Sequence, residues 1–152
     1  MPSPDFIAAL EEIDEHPDLK HFIGPMPEAA VAAAERALGV TLPASYRDFL
    51  LRFGAGNFGS FTVLGIPDPE LATPRVPNAV WYTLQERKGG LPPAFVAIGT
   101  DFEGNLFCLD TAAAADGEAP MVNWNAGKIE PFELSFSQYF RDGVEEEGEE
   151  KG

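Results

Sequence analysis

The sequence has 152 residues, a length typical of one domain that can bury a core without disulfides or metal ions. An apolar content of 45% and 12 phenylalanines predict a folded globule, and one cysteine cannot form an internal disulfide. The formal net charge of −15 argues against nucleic-acid binding, because an acidic surface repels phosphate groups. The same charge either only keeps the protein soluble or attracts a basic partner protein.

The N-terminal segment predicts a helix over residues 4–16, in which Phe6, Leu10 and Ile13 recur at helical spacing. Residues 18–26 contain a glycine and a proline and are predicted to form a loop. The segment is acidic and lacks the basic region that opens a signal peptide. No apolar run approaches the roughly 20 residues that a membrane-spanning helix needs. We therefore expect a cytoplasmic protein with no membrane partner.

Residues 27–56 predict two helices joined by a tight corner, the unit around which the rest of the chain is expected to pack. The first helix ends at Gly39, which suits a left-handed C-terminal residue, and the second begins after Pro43. The apolar residues expected to be buried in this unit are Leu42, Tyr46, Phe49, Leu50 and Phe53.

The remaining chain is rich in predicted strands and ends in a helix. One or two strands are expected over residues 58–66, and further strands over residues 95–98, 106–109, 121–124 and 129–132. A helix is expected from Asn78 to Gly89 and a last helix from Ser135. Hairpin-length connections favour antiparallel pairing. The sequence therefore predicts a single α+β domain, an antiparallel β-sheet with helices packed on one face.

The C-terminal sequence EEEGEEKG places five glutamates at the negative end of the last helix dipole, which is unfavourable. We expect the helix to fray there. The domain would then comprise residues 1–144, followed by an acidic disordered tail over residues 145–152 that is dispensable for folding.

The residues that could carry chemistry have simpler interpretations. His16 and His21 are expected to be ordinary surface histidines, and Cys108 a small buried residue within a strand. Residues 101–105 resemble a calcium loop, but the glycine stands at the fourth position and Ala112 replaces the required glutamate, so a turn is predicted. Nucleotide-binding glycine motifs are missing. We expect no catalytic, metal or cofactor-binding residue.

Two tryptophans are candidates for contact with a partner, because tryptophan is enriched among binding hot spots, although each is more often a core residue. Trp124 shares a strand face with an apolar neighbour and is expected to be core. Trp81 stands beside the proline-rich loop over residues 67–77 and is the better surface candidate. The predicted partner-binding residues are Trp81, Asp68, Glu70 and Glu86.

Three segments resemble the SUKH superfamily, which holds the SMI–KNR-type cell-wall assembly regulators and many bacterial toxin-immunity proteins. Residues 35–53, ERALGVTLPASYRDFLLRF, are similar to its signature, residues 98–110 to its hairpin, and residues 127–140 to its final helix. The chain departs from the family at residues 53–56, where FGAG replaces a frequent NGG. The resemblance implies an α+β fold, no catalysis and action by protein binding, with no agreed functional residues.

Two functions from different classes follow from this resemblance. The first is an immunity protein that neutralises a cognate toxin by occluding its active site, with nucleases as one candidate class and a basic toxin domain as the partner. The alternative is an intracellular regulatory or scaffold protein of the cell-wall assembly regulator type. An enzyme is a third reading that no motif supports.

Overall fold

The computed structural model describes residues 2–68, 78–101 and 103–151, apart from the side chains of residues 133, 150 and 151. In these ranges it has five α-helices and antiparallel sheets, which confirms the predicted single-domain α+β fold. The helices are α1 (Pro4–Glu15), α2 (Glu28–Leu38), α3 (Ala44–Phe53), α4 (Ala79–Lys88) and α5 (Phe136–Lys151). The strands are β1 (Lys20–Phe22), β2 (Gly56–Phe58), β3 (Phe61–Val63), β4 (Phe95–Thr100), β5 (Leu106–Asp110), β6 (Pro120–Asn125) and β7 (Lys128–Ser135).

The strands form two antiparallel sheets, one in the order β1-β2-β3 and one in the order β4-β5-β6-β7. The backbone N–H of Leu64, just after β3, donates a 2.8 Å hydrogen bond to the carbonyl of Ile98 in β4. This bond connects the edge of the small sheet to the edge of the large one. In the large sheet, the predicted hairpin around residues 101–105 joins β4 to β5 and is part of a four-stranded meander.

Strand β1 corrects the predicted loop over residues 18–26. Lys20 and His21 are exposed and Phe22 is half-buried, so the segment lacks the apolar alternation by which a strand is recognised. It pairs along β2, with Lys20 opposite Phe58 and Phe22 opposite Gly56. The strand forms because its backbone pairs with β2, and no local sequence pattern reveals that pairing.

The core is an aromatic cluster centred on α3. Its predicted members Leu42, Tyr46, Phe49, Leu50 and Phe53 are all buried, which confirms the face assigned to this helix. The predicted capping box at the start of α5 is also present. The N–H of Ser135 donates to Gln138 Oε1 at 2.9 Å, and the N–H of Gln138 donates to Ser135 Oγ at 3.3 Å.

The opposite face of the large sheet carries a second, smaller cluster. It includes Trp124, which is 8% exposed and packs with Val122, as predicted for a core tryptophan. Helix α4 lies along the edge of β4, where the N–H of Ala97 donates to the Thr83 hydroxyl at 2.9 Å. The helix thus contacts the main core and, through Tyr82, the second cluster.

Helix α5 corrects the predicted disordered tail, because it continues to Lys151. Contacts with other elements offset the unfavourable charge at its end. Arg141 lies 2.9 Å from Asp5 of α1 and 3.1 Å from Glu145. Glu147 accepts hydrogen bonds from the N–H and the hydroxyl of Ser60, at 2.7 and 2.8 Å. The prediction considered the helix alone and could not include these partners.

A carboxylate from the loop after β5 joins the N-termini of two helices. Glu118 accepts hydrogen bonds from the Ser45 hydroxyl at 2.8 Å, the Ser137 N–H at 3.2 Å and the Ser137 hydroxyl. Ser45 and Ser137 lie in the first turns of α3 and α5, where negative charge is favourable. Glu118 therefore holds the two helices in one orientation.

Replacing Phe49 with alanine is expected to lower the free energy of unfolding by about 3–5 kcal/mol, because a fully buried aromatic side chain would leave a cavity. Urea denaturation followed by circular dichroism measures the change. Ile129→Ala is the control, since Ile129 is 51% exposed and its loss is expected to cost less than about 0.5 kcal/mol. Equal stability of the two variants would contradict this assignment of the core.

Truncation after Val144 is expected to lower the unfolding midpoint, because it removes the Glu147–Ser60 hydrogen bonds and the last turns of α5. Glu147→Ala tests the contact alone and is expected to cost about 1 kcal/mol. Glu146→Ala is the matched control, because it removes the same charge from an exposed position. If the truncated chain and the full chain melt at the same temperature, the tail does not stabilise the fold.

Candidate functional site

The residues of the family-like signature have structural roles. Glu35 accepts a 2.8 Å hydrogen bond from the N–H of Leu42, and Gly39 takes the left-handed conformation that ends α2, with φ of 71°. The Tyr46 hydroxyl donates a 2.7 Å hydrogen bond to the carbonyl of Leu64. Burial raises the pKa of this hydroxyl well above its usual value, so it remains a donor. The signature therefore fixes the α2–α3 corner against β3.

A groove of about 420 Å³ lies between β3, the outer edge of β4 and the first turn of α4. Asn78 places this helix, since its side chain accepts a 2.9 Å hydrogen bond from the N–H of Trp81. The described residues that line the groove are Ser60, Phe61, Thr62, Leu64, Asn78, Trp81, Tyr82, Gly99, Thr100, Asp101, Phe107 and Tyr139. An aromatic surface bounded by polar groups can bind another molecule.

Two glycines allow the aromatic floor of the groove to form. A Cβ atom on Gly99 would lie 2.8 Å from the Tyr139 hydroxyl and 3.2 Å from the Phe107 ring. A Cβ atom on Gly143 would overlap the Phe61 ring. Larger residues would displace these rings. The rings of Phe61 and Tyr139 lie 5.5 Å apart, and those of Phe107 and Tyr139 lie 6.4 Å apart, so the floor is one packed surface.

The hairpin turn beside the groove is built on Asp101. Its carboxylate accepts hydrogen bonds from the N–H groups of Glu103 and Asn105, at 2.8 and 3.0 Å, and from the Asn105 side chain at 2.7 Å. The bond from the Asn105 side chain is the main reason that the pKa of Asp101 lies below its usual value. Asp101 therefore stays negatively charged at the rim, and the predicted turn is confirmed.

Two of the four predicted partner-binding residues, Trp81 and Glu86, lie in adjoining hollows of the described surface. Trp81 is half-buried and lines the groove. Glu86 is half-buried in an adjoining hollow of about 140 Å³, which shares Thr100 and Asp101 with the groove. Asp68 is half-buried after β3, whereas Glu70 and residues 69–77 of the predicted loop lie outside the described residues. Their role in binding stays a prediction.

An amide cluster that sequence reasoning missed adjoins the groove. The side-chain nitrogens of Asn123 and Asn125 donate to Asn105 Oδ1 at 3.0 and 2.9 Å, and Asn105 in turn donates to Asp101. A hollow of about 420 Å³ lies above these side chains. The available signal was the spacing of Asn123 and Asn125, which places both on one face of β6. The cluster orders the turn that carries Asp101.

The residues considered for chemistry have ordinary surroundings. Cys108 is fully buried, and burial, with a smaller contribution from Glu86, raises the pKa of its thiol to about 12, so it is not a reactive thiolate at neutral pH. Ligand atoms of Glu12, Glu15 and His16 lie within 4.8 Å of one another. His16 Nε2 is 2.9 Å from Glu12 Oε2, and this contact accounts for their proximity.

Comparison with known protein families supplies the identity of the fold. A SUKH family model described as SMI1-KNR4 cell-wall matches residues 28–140. The chain belongs to the SUKH superfamily. Proteins of this superfamily are in general non-enzymatic immunity or regulatory proteins that bind another protein. Within the described residues, none of the helices combines the length and apolar composition needed to cross a membrane.

Proposed function

We propose that this chain is a cytoplasmic, non-enzymatic immunity protein that neutralises a cognate toxin by covering its active site. Membership of the SUKH superfamily is the observation that carries the proposal. The net charge of −15 supports a basic partner, because complementary charge speeds encounter between proteins. A toxin that acts on nucleic acid needs a basic cleft for phosphate groups, and nucleases are therefore one candidate class.

The proposed site of contact with the toxin is the groove that Trp81 lines. Trp81 is half-buried in an apolar surface with Asp101 at its rim, and tryptophan is enriched among binding hot spots. The proposed contact residues are Trp81, Asp68, Glu70 and Glu86. Occlusion requires only that the bound chain exclude substrate from the toxin, so no catalytic group is needed on this side of the complex.

A regulatory or scaffold role is the second candidate, because the matching family is described by the SMI1-KNR4 cell-wall proteins. The two roles differ in their effect on the partner. An immunity protein abolishes the partner's activity, whereas a scaffold protein binds without blocking the active site.

Capture of the tagged chain from its native cells, with mass spectrometry of the bound protein, identifies a partner for the decisive test. We expect expression of the partner's catalytic domain alone to arrest growth, and co-expression of this chain to restore it. In a purified assay the domain should lose its activity at an equimolar ratio. A partner that keeps full activity in the complex would contradict immunity and favour the regulatory role.

Stopped-flow association with the same domain tests the role of charge separately. The association rate should fall at least about tenfold between 0.05 and 0.5 M salt, since screening weakens attraction between exposed charges. Trp81→Ala should mainly raise the dissociation rate, by about tenfold, with exposed Ile129→Ala as the control. An association rate independent of salt would rule out electrostatic steering, and an unchanged dissociation rate would exclude Trp81 from the interface.

A further inference from the structure

Two strand edges face each other across the groove. Strand β3 is the last strand of the small sheet, and β4 is the first strand of the large sheet. The hydrogen bond from Leu64 to Ile98 joins them at one point. From this bond the chain runs back to Thr62 along one wall of the groove and forward to Thr100 along the other. Within the described residues no second backbone hydrogen bond joins the two edges, and the groove lies beside the first one.

The backbone groups of Thr62 and Thr100 are directed into this gap. Backbone groups of alternate residues in a strand point to the same side, so those of Thr62 point in the same direction as those of Leu64. The register of β4 is irregular between Ala97 and Gly99, so the direction of Thr100 follows from that of its neighbour Asp101, which points to the opposite side. Asp101, the residue after Thr100, donates instead toward Asn105 inside the hairpin. In the described ranges no hydrogen bond joins the backbone of Thr62 or Thr100 to a partner across the groove. Unpaired edges of this kind can accept an added strand.

The chemistry of the groove favours a positively charged occupant. Phe61, Phe107 and Tyr139 form an apolar floor for alternate side chains of such a strand. Asp101 stands at one end, and Glu147 is bound to Ser60 at the other. Among the described residues that line the groove and its adjoining hollow, none is a lysine or an arginine. An acidic segment would meet repulsion at both ends of the groove.

We propose that an extended, basic segment of the partner protein binds in this groove as a β-strand added between β3 and β4. The proposal rests on the proposed function for the existence of a protein partner and specifies the chemistry of that partner. Backbone hydrogen bonds to Thr62 and Thr100 fix the register of the segment. Alternate apolar side chains contact the aromatic floor and Trp81, and the side chains between them carry positive charge toward the solvent and the acidic ends.

A phage-displayed library of nine random residues, selected on the wild-type chain, tests the proposal without knowledge of the partner. We expect the enriched peptides to alternate apolar with basic residues. Binding of a synthetic enriched peptide should weaken about tenfold or more in Trp81→Ala and about two- to five-fold in Asp101→Asn. Glu28→Gln removes an exposed charge that lines neither the groove nor the adjoining hollow, and it serves as the matched control, with binding unchanged. Circular dichroism checks that each variant is folded.

Methylation of the peptide backbone tests the strand pairing independently of any change in the protein. An N-methyl group removes one donor and keeps every side chain. Because a strand between two edges uses alternate amides on opposite sides, methylation at two consecutive central positions, made one at a time, should weaken binding at least about tenfold in both cases. Amide NMR signals of Thr62 and Thr100 should shift when the unmodified peptide is added.

Several results would overturn the proposal: enriched peptides that are acidic, binding that survives both methylations, or binding that is unaffected by Trp81→Ala. Failure of the proposed function is distinguishable from these. If the captured partner is neutralised equally by the wild type and by Trp81→Ala, the groove is excluded while immunity stands. If the library yields groove-dependent basic strands but the captured partner keeps its activity, the added strand stands and immunity fails.

Discussion

The packing of the Phe49 ring is the contact on which the arrangement of the helices depends. Its centroid lies 5.5–6.2 Å from the rings of Phe22, Tyr46, Phe53, Phe136 and Phe140. These rings belong to β1, α3 and α5, elements that are far apart in the sequence. Most of the ring pairs are tilted or edge-on, geometries that aromatic side chains favour. The orientation of α3 therefore determines where β1 and α5 can lie.

Polar contacts from distant segments complete the helix ends that this packing brings together. Arg87 of α4 donates to the carbonyl of Leu38 at the C-terminus of α2, at 2.8 Å, and to the carbonyl of Pro93 at 2.6 Å. Glu118 accepts hydrogen bonds from Ser45 and Ser137 at the N-termini of α3 and α5. In both cases the sign of the charge is opposite to that of the helix dipole. These contacts fix the relative positions of helices that the apolar core alone would leave free to slide.

The sequence predicted the features that local patterns encode. The corner at Gly39, the buried face of α3 and the capping box at Ser135 each depend on a few neighbouring residues. The strand at Lys20 and the last turns of α5 depend instead on partners far along the chain. A single sequence does not show which distant segments come into contact. Trp81 was found from its residue type. The strand edge at Thr100 was not, because an unpaired backbone leaves no mark in the side chains.

The fold separates the family signature over residues 35–53 from the residues that line the groove, several of which come from the two later family-like segments. The signature over residues 35–53 contributes none of the described lining residues, since it is used for the α2–α3 corner. The hairpin from Ile98 to Asp110 supplies one wall, and α4, between the two segments, supplies Trp81. A change at Trp81 alters the groove and leaves the Phe49 cluster in place. Substitutions at the groove-lining positions of α4 can therefore change what the groove binds while the core packing stays the same, because these positions lie outside the Phe49 cluster.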